Sequence, residues 1–350
     1  MVTETANRKG PPLPEARIAV VGAGSWGTAL AQLLADKGYD VDLWTFEDEI
    51  RQQIRDLREN TVYLPGCPLS ENIRPDTDLD AVVREKDLVV MVVPSHVMRQ
   101  VAERLSGHLP PTCIVVSASK GIENTTHLTM TGILAETLQG HDPRYLAALS
   151  GPSFAREVAR RVPTVVTVAA RDEAVAAYVQ RVFAAPWFRV YTNEDVIGVE
   201  LGGAVKNVIA IAAGVIDGLG LGLNTRAALI TRGLTEIRRL GLALGANPRT
   251  FTGLAGMGDL VLTCTGALSR NHTVGVKLGE GKRLEEILAE MRMVAEGVKT
   301  AKSVYNLSRR LGVEMPISHE IYRILYEGTS PAEGVMRLMT RDLKDELDEH

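Results

Sequence analysis

The chain is poor in cysteine. Only Cys67, Cys113 and Cys264 occur among its 350 residues, and none belongs to a C-x-x-C pair. An odd number of widely spaced cysteines argues against a disulfide framework or a zinc knuckle. His96 has no second ligand at metal spacing, so we predict no metal site. We expect the protein to work in the reducing cytoplasm.

Long basic runs and a targeting segment are also missing. The 39 basic and 43 acidic residues give a formal net charge of -4, and unclustered charge argues against nucleic-acid binding. Residues 1–16 carry charges and three prolines but no apolar core, which predicts a disordered tail rather than a signal peptide. The most apolar stretch, 205–223, is broken by polar residues and glycines, so we interpret it as a buried helix and not a membrane span.

What is present is an alternation of short apolar runs with stretches of helical spacing. A length of 350 residues predicts two domains. Continuous apolar strands are typical of a parallel sheet covered on both faces. We predict a doubly wound α/β domain of the Rossmann type over residues 17–192. Its predicted strands are 18–21, 41–44, 88–93, 114–117, 146–149, 165–168 and 188–191.

Strand signals disappear after Asn193. Gly312 and Gly328 stand where helices should end. The second domain, residues 193–350, is therefore predicted to be all-α. Its predicted helices are 195–214, 225–244, 284–291, 298–311 and 318–326.

A G-x-G-x-x-G motif, Gly22, Gly24 and Gly27, lies between the first predicted strand and the first predicted helix. The first glycine permits a tight turn, the second lets the backbone approach a pyrophosphate, and the third lets helix and strand pack closely. The helix N-terminus adds free N–H groups and a partial positive charge. We interpret the motif as a dinucleotide site, the alternative being an ordinary glycine turn.

Glu47 follows the second predicted strand, about twenty residues past the last glycine, where an acid usually binds the adenosine ribose. No Arg or Lys stands beside it to pair with a 2′-phosphate, which favours NAD over NADP. Alternatively, Glu47 and Asp48 cap the next helix and suit its dipole. The sequence leaves both interpretations open.

Ligands of such sheets bind at the carboxyl ends of the strands. The loops there contain His96, Lys120, Gly151 and Ser153. Lys120 directly follows an apolar strand and precedes a glycine, which makes it a candidate ligand-binding residue. The alternative is a solvated loop lysine.

The segment 198–208 is an unusual helix because Gly198, Gly202 and Gly203 each cost about 0.5–1 kcal/mol relative to Ala. The close approach that they permit must therefore matter. Lys206 and Asn207 lie in this apolar stretch, where burial makes an ammonium lose its proton more readily. Lys206 is thus a candidate general acid–base group. The alternative is a lysine that extends from a core helix to solvent.

A second polar constellation follows later in the chain. Asp259 and Thr263 are four residues apart and share one helix face. Ser269, Arg270 and Asn271 form a compact cluster whose guanidinium can bind a phosphate monoester with two hydrogen bonds. Alternatively, Ser269 is the ordinary start of a helix.

Together these residues resemble the bacterial NAD(P)-dependent glycerol-3-phosphate dehydrogenases. The matching motifs run in family order across nearly the whole chain. They are GAGSWGTAL at 22–30, YLPG at 63–66, VVPSH at 92–96, KG at 120–121, SGPSFA at 150–155, LGGAVKNV at 201–208, GDLVLTCT at 258–265, SRN at 269–271 and EG at 296–297.

The resemblance implies a set of site residues, with Lys206 as the proton acceptor in alcohol oxidation. The cofactor is expected at Ser25, Trp26, Tyr63, Lys120, Ala155, Arg270, Val294 and Glu296. The substrate is expected at Lys120, Gly151, Ser153, Lys206, Asp259, Ser269, Arg270 and Asn271, together with the adjacent Asn207 and Thr263.

The resemblance departs from the bacterial pattern at one position. Many bacterial members have Arg or His where this chain has Phe46, and the segment 44–48 looks more like that of the NAD-using eukaryotic relatives. We therefore expect Phe46 and Glu47 to contact NAD rather than NADP.

The implied reaction interconverts sn-glycerol 3-phosphate and dihydroxyacetone phosphate and supplies phospholipid synthesis. Lys120, if close, lowers the pKa of Lys206 by repulsion, Asp259 orients Lys206, and Arg270 binds the phosphate. A homodimer is the expected oligomer. Two alternatives are a dehydrogenase of the same plan for another substrate, such as a 3-hydroxy acid, and a non-catalytic NAD-sensing protein.

Overall fold

The computed structural model describes residues 15–291 and 293–346, which form two compact units. The first unit comprises the residues up to Ser119 together with Met130–Val199, and the second comprises Lys120–Thr129 together with the residues from Glu200 onward. Of the predicted tail, residues 1–14 lie outside the described residues, whereas Ala16 is buried in the core of the first unit. The predicted fold class, a Rossmann-type domain followed by a helical domain, is confirmed.

The first unit is built on one eight-stranded sheet of order β3-β2-β1-β4-β5-β6-β7-β8. The chain adds β2 and β3 on one side of β1 and then places β4 on the other side of β1. Ligands of doubly wound sheets bind at this switch point, between β1 and β4. The strands are β1 (Ile18–Val21), β2 (Val41–Trp44), β3 (Ile73–Asp76), β4 (Leu88–Met91), β5 (Ile114–Ser117), β6 (Leu146–Ser150), β7 (Thr164–Ala170) and β8 (Phe188–Asn193).

All seven predicted strands are present, but two features differ from the prediction. β6 and β7 pair antiparallel, so the sheet is mixed rather than wholly parallel. β3 is an additional edge strand that contains Pro75 and exposed polar side chains. A proline is tolerated at an edge, where one side of the strand needs no partner, and such a strand lacks the apolar run on which the prediction depended.

Helices cover this sheet through apolar contacts with its strands, and one buried cluster joins strands and helices of the unit. The helices are α1 (Ser25–Asp36), α2 (Asp48–Leu57), α3 (Leu79–Val83), α4 (Met98–Leu105), α5 (Met130–Thr137), α6 (Ala155–Ala159) and α7 (Glu173–Phe183).

The second unit is helical, as predicted. Gly312 and Gly328 have φ values of 69° and 71°, and so end their helices in the left-handed conformation that glycine adopts most easily. The helices are α8 (Val196–Gly218), α9 (Gly222–Ala243), α10 (Asp259–Thr265), α11 (Arg270–Gly279), α12 (Leu284–Ala289), α13 (Glu296–Leu311), α14 (Pro316–Tyr326) and α15 (Pro331–Met339). A π-helical turn, Leu254–Gly258, leads directly into α10.

Helix α8 is apolar and largely buried. It is long and apolar enough to cross a membrane, but 89% of its most apolar window is buried inside the protein, as in a core helix. A Cβ atom at Gly202 would lie 2.4 Å from the carbonyl oxygen of Ala255, so the predicted close approach is real there. Further along, Gly214 and Gly218 of α8 face glycines of α11 at backbone contact. Helix α8 therefore holds its polar residues against the neighbouring helices at short range.

Candidate active site

The glycine turn after β1 has three different steric environments. Gly22 has a φ of 115°, and a Cβ there would lie 2.7 Å from the oxygen of Val92. A Cβ at Gly27 would lie 1.8 Å from the oxygen of Gly22, whereas a Cβ at Gly24 would meet nothing within 4 Å. The first and third glycines thus allow the turn and its packing, and the second leaves open space at the start of α1. This is the shape that a pyrophosphate requires.

The first turn of α1 carries two further cofactor candidates. Ser25 donates a hydrogen bond through Oγ to the carbonyl oxygen of Tyr63 at 2.6 Å. The indole Nε1 of Trp26 is buried and has no hydrogen-bond partner among the described residues. A buried N–H donor without an acceptor is costly. The first turn also contains no acidic residue to repel an anion, so these residues fit a dinucleotide.

Of the two roles predicted for Glu47, the structure bears on the helix cap. This residue occupies the N-cap position of α2, but its side chain makes no capping hydrogen bond. Instead, its Oε1 accepts a hydrogen bond from the Tyr63 hydroxyl at 2.8 Å. Burial and this carboxylate together raise the pKa of Tyr63 to about 12. Phe46 beside it is 78% exposed and contacts the edge of the Trp44 ring.

The loop after β6 brings Gly151, Ser153 and Ala155 close together. Gly151 has a φ of 136°, and its backbone passes so near Val166 that a Cβ would lie 3.0 Å from the Val166 Cα atom. Ser153 donates through Oγ to the carbonyl oxygen of Gly151 at 2.9 Å. Ala155 is the first residue of α6 and is half-buried. The loop is therefore held rigidly at the carboxyl end of β6.

The second unit contains a buried cluster of two lysines and one aspartate. The Lys206 ammonium on α8 donates to Oδ1 of Asp259 and, at 2.7 Å, to Oγ1 of Thr263. Lys120 donates to the other carboxylate oxygen of Asp259 at 2.6 Å. The exposed fractions of the side chains are 7% for Lys206, 1% for Asp259 and 19% for Lys120. Lys206 is therefore not a lysine that reaches solvent, and Lys120 is not a solvated loop residue.

Helix geometry explains how α10 holds the nitrogen of Lys206. Asp259 and Thr263 share one face of the helix, as their spacing predicts. The Thr263 hydroxyl donates to the carbonyl oxygen of Asp259 at 2.6 Å, so its oxygen is oriented to accept from Lys206. The ammonium is thus held by a carboxylate and a hydroxyl that are fixed to one another.

The pKa of Lys206 is lowered to about 8, mainly by burial and also by the charge of Lys120, while Asp259 acts in the opposite direction. Desolvation disfavours the charged ammonium, and a like charge nearby has the same effect. The predicted repulsion between Lys120 and Lys206 is therefore present. A lysine with a pKa near neutrality can exist in either protonation state during catalysis.

Asn207, the residue after Lys206, belongs to a chain of amide hydrogen bonds. Its Oδ1 accepts from Nδ2 of Asn271 at 2.9 Å, and Oδ1 of Asn271 accepts from the backbone N–H of Gly297 at 2.9 Å. All three residues are buried. The bonds join α8, α11 and α13. Sequence reasoning singled out both asparagines but missed their pairing, because 64 residues separate them.

The cluster of Ser269, Arg270 and Asn271 lies at the N-terminus of α11. The Oγ atom of Ser269 accepts from the backbone N–H of His272 at 3.2 Å, so Ser269 caps the start of α11. Arg270 is exposed and donates through Nη1 to the carbonyl oxygen of Val294 at 2.7 Å. Glu296 begins α13 and is half-buried.

Sequence reasoning missed one ion-pair cluster beside this helix start. Asp217 near the end of α8 accepts hydrogen bonds at 2.8 Å from both Arg226 of α9 and Nε2 of His272. Asp217 and Arg226 are nine residues apart and His272 is 55 residues from Asp217, and the three match no motif. Their charges alone gave no signal, because isolated charged residues are common on helices.

Comparisons with known proteins match both units. The N-terminal model of the NAD-dependent glycerol-3-phosphate dehydrogenases matches residues 17–176, and the C-terminal model matches residues 195–336. The chain is 59% identical over 335 residues to a glycerol-3-phosphate dehydrogenase (NAD(P)+) of Syntrophobacter fumaroxidans, and the match covers 96% of this chain and 98% of that protein.

Solved structures show the same similarity. The glycerol-3-phosphate dehydrogenase of Coxiella burnetii is 40% identical, with a TM-score of 0.89 and coverage of 93% of this chain and 99% of that one. The glycerol-3-phosphate dehydrogenase GPD1 of Saccharomyces cerevisiae is 30% identical, with a TM-score of 0.78 and coverage of 91% and 98%.

Proposed function

The chain belongs to the NAD-dependent glycerol-3-phosphate dehydrogenase family, an oxidoreductase family that uses NAD(P), and from this premise we propose that Lys206 is its general acid–base group. The reaction interconverts the secondary alcohol of sn-glycerol 3-phosphate and the ketone of dihydroxyacetone phosphate. The bound nicotinamide cofactor supplies or accepts the hydride. The protein must then supply or accept the proton on the C2 oxygen.

Lys206 is suited to both directions of this proton transfer. In oxidation, the neutral amine takes the proton of the C2 hydroxyl while hydride leaves C2. In reduction, the ammonium donates that proton to the C2 oxygen while hydride arrives. A pKa lowered to about 8 by burial makes both protonation states accessible near neutral pH.

The hydrogen-bond count of Lys206 is the observation that carries the proposal. An ammonium has three donors, and among the described residues two of them are used, by Asp259 and Thr263. The third position of the nitrogen is left for the substrate oxygen. When Lys206 is neutral, the same two acceptors can hold its two hydrogens, so its lone pair points to this position. The nitrogen therefore need not move between the two steps.

Lys120 and Asp259 set the charge around this nitrogen. Asp259 orients Lys206, and Lys120 adds a positive charge that favours the neutral amine and polarises the substrate oxygen. We propose that the phosphate binds at the start of α11, where Arg270 offers a planar guanidinium and Ser269 a hydroxyl. Asn271 contributes by fixing the first turn of that helix.

The remaining substrate and cofactor assignments rest on the family motifs and on their surroundings. Gly22, Gly24 and Gly27 with Ser25 and Trp26 fit the pyrophosphate end of the cofactor. We propose that the cofactor also contacts Phe46, Glu47, Tyr63, Lys120, Ala155, Arg270, Val294 and Glu296. We propose that the substrate also contacts Gly151, Ser153, Asn207 and Thr263.

We propose NAD as the preferred cofactor. The carboxylate of Glu47, held by the Tyr63 hydroxyl, can accept from the ribose hydroxyls, whereas it would repel a 2′-phosphate. The biological setting that we propose is a cytoplasmic homodimer whose product feeds phospholipid synthesis, as the family resemblance suggests.

Replacement of Lys206 by alanine tests the acid–base assignment. We expect turnover of NADH with dihydroxyacetone phosphate to fall by about 10²–10⁴-fold, the usual contribution of a general acid, while NADH still binds. Turnover is followed by NADH absorbance, and binding by the quenching of protein fluorescence. Lys302→Ala is the matched control, because Lys302 is an exposed lysine of the same unit. Undiminished kcat in Lys206→Ala would contradict the proposal.

A further inference from the structure

The second unit contains a cavity that the proposed reaction does not use. Its volume is about 270 Å³, and none of Lys120, Lys206, Asp259 and Thr263 lines it. Helices α8, α9, α14 and α15 and the residues after α15 form its wall. The apolar part of that wall includes Val215, Ile216, Leu229, Ile321, Leu338 and Met339.

The charged groups that line the cavity differ in whether they have a partner of opposite charge or a hydrogen-bond donor. Glu314 pairs with both Arg341 and Lys344. The buried Glu236 accepts from the backbone N–H groups of Ile317 and Ser318 at the start of α14. The carboxylates of the cavity therefore already have donors of their own.

Arg232 is different from these groups. Its Nη1 donates to the backbone carbonyl oxygen of Glu346 at 3.1 Å, and among the described residues the guanidinium pairs with no carboxylate. Within residues 15–291 and 293–346, its acceptor is thus a neutral carbonyl, and its positive charge lies at the edge of an apolar cavity without a paired carboxylate. An anionic group there would gain a charge-assisted hydrogen bond that no carboxylate of the described part of the chain supplies.

We propose that this cavity binds a small amphipathic carboxylate, with its aliphatic chain among the apolar side chains and its head group on Arg232. An apolar cavity of about 150 Å³ can hold benzene, so the present volume suits a chain of about eight to ten carbon atoms. A single guanidinium that pairs with no described carboxylate matches a head group of single negative charge, which favours a carboxylate over a phosphate monoester.

Titration of the full chain with decanoate, followed by calorimetry, tests the proposal. Ala228 lines the cavity, so Ala228→Leu fills part of it, whereas Ala227→Leu makes the same change at the preceding exposed residue of α9. We expect Ala228→Leu to abolish decanoate binding and Ala227→Leu to leave it unchanged. Turnover of NADH should be normal in both variants, which shows that they fold.

A second pair of variants tests the head group. We expect Arg232→Gln to weaken decanoate binding about tenfold or more, as the loss of a hydrogen bond to a charged group does. Arg249→Gln, at an exposed arginine outside the cavity, should have no effect. Decanol, which has the chain without the charge, should bind more weakly than decanoate, and acetate should not bind.

Three results would overturn the proposal. The first is the absence of saturable decanoate binding to the unaltered chain. The second is equal affinity of the unaltered chain and Ala228→Leu, or of decanoate and decanol. The third combines two observations: the unaltered chain does not bind decanoate, and light scattering gives Ala228→Leu a different molecular mass from the unaltered chain. This result would assign the face to contact with a second copy of the protein.

Discussion

Lys206 illustrates how a single side chain acquires chemistry from its surroundings. An ordinary lysine is charged at every physiological pH, whereas burial lowers the pKa of this one to about 8. The cost of burying an ammonium is offset by Asp259, which itself is shared with Lys120. Both protonation states of Lys206 are therefore populated at a pH near 8.

The pKa of Lys206 predicts opposite pH dependences for the two directions. In the proposed mechanism reduction needs the ammonium, so its rate should fall as pH rises through about 8. Oxidation needs the amine, so its rate should rise through the same value. Removal of the neighbouring charge in Lys120→Met should raise the pKa of Lys206 and shift both limbs to higher pH. Profiles of kcat/KM against pH measure this, and a limb that stays in place would contradict the role of Lys120.

Glu47 predicts the cofactor preference. We expect kcat/KM with NADH to exceed that with NADPH by at least tenfold, because the carboxylate that we propose beside the ribose would repel a 2′-phosphate. Glu47→Gln removes this charge and should reduce the preference. Glu49→Gln, two residues further on in α2, is a matched control. Equal preference in Glu47→Gln and the unaltered chain would show that another residue selects the cofactor.

The functional role of a single residue was predictable from sequence where a polar side chain stands in a segment expected to be buried. A lysine in an apolar helix stands out, as Lys206 does, because such a position is costly without a function. The hydrogen bond between Tyr63 and Glu47 was not predictable, since it depends on how the loop after α2 folds back. The same holds for the contact of Lys120 with Asp259, whose residues are 139 positions apart.

In the turn between β1 and α1, one glycine is required for the stability of the fold and another for the proposed binding of the cofactor. A Cβ atom at Gly27 would lie 1.8 Å from a backbone oxygen, whereas one at Gly24 would meet nothing within 4 Å. At Gly27 the packing of the fold therefore excludes any side chain. At Gly24 only a bound ligand would exclude one.

Alanine substitutions at these two glycines should therefore have different effects. Gly27→Ala should lower the free energy of unfolding by about 1–3 kcal/mol through overpacking. Gly24→Ala should change it by less than about 0.5 kcal/mol but weaken NADH binding. Urea denaturation and fluorescence titration measure the two effects. Equal loss of stability in both variants would show that Gly24 has a structural role.

The strands with a continuous apolar run were all predicted, whereas some elements without such a run were missed. The central strands β1, β4 and β5 are buried along their whole length, so their sequences are continuous apolar runs. The edge strand β3 and the amphipathic helix α15 lack such runs and were not found. The direction of β7 could not be read either, because an apolar strand has the same pattern in both orientations.

Within the whole molecule, the proposed pyrophosphate site and the proposed proton transfer belong to different units. The glycine turn belongs to the first unit and the lysine–aspartate cluster to the second. Sequence predicted two units with one boundary between them. It did not reveal that Lys120–Thr129 groups with the second unit, where Ser303 of α13 donates to the carbonyl oxygen of Ile122 at 2.7 Å.

This division predicts that the two functions can be lost separately. NADH at about 100 times its Kd stabilises a native protein by about 2.7 kcal/mol, so we expect it to raise the Tm. Gly24→Val should lose this rise, and Lys206→Met should keep it while losing turnover. Thermal unfolding with and without NADH measures the rise. Its loss in Lys206→Met would show that the lysine also supports cofactor binding.

The glycine contacts between α8 and α11 have a consequence for protein engineering. Any Cβ atom at Gly214 or Gly275 would lie within 2.1 Å of a backbone oxygen of the facing helix. A randomised library should therefore recover only glycine at these positions, however mild the selection. Attempts to diversify the substrate range by mutagenesis should keep this crossing fixed and vary the exposed residues around Arg270 instead.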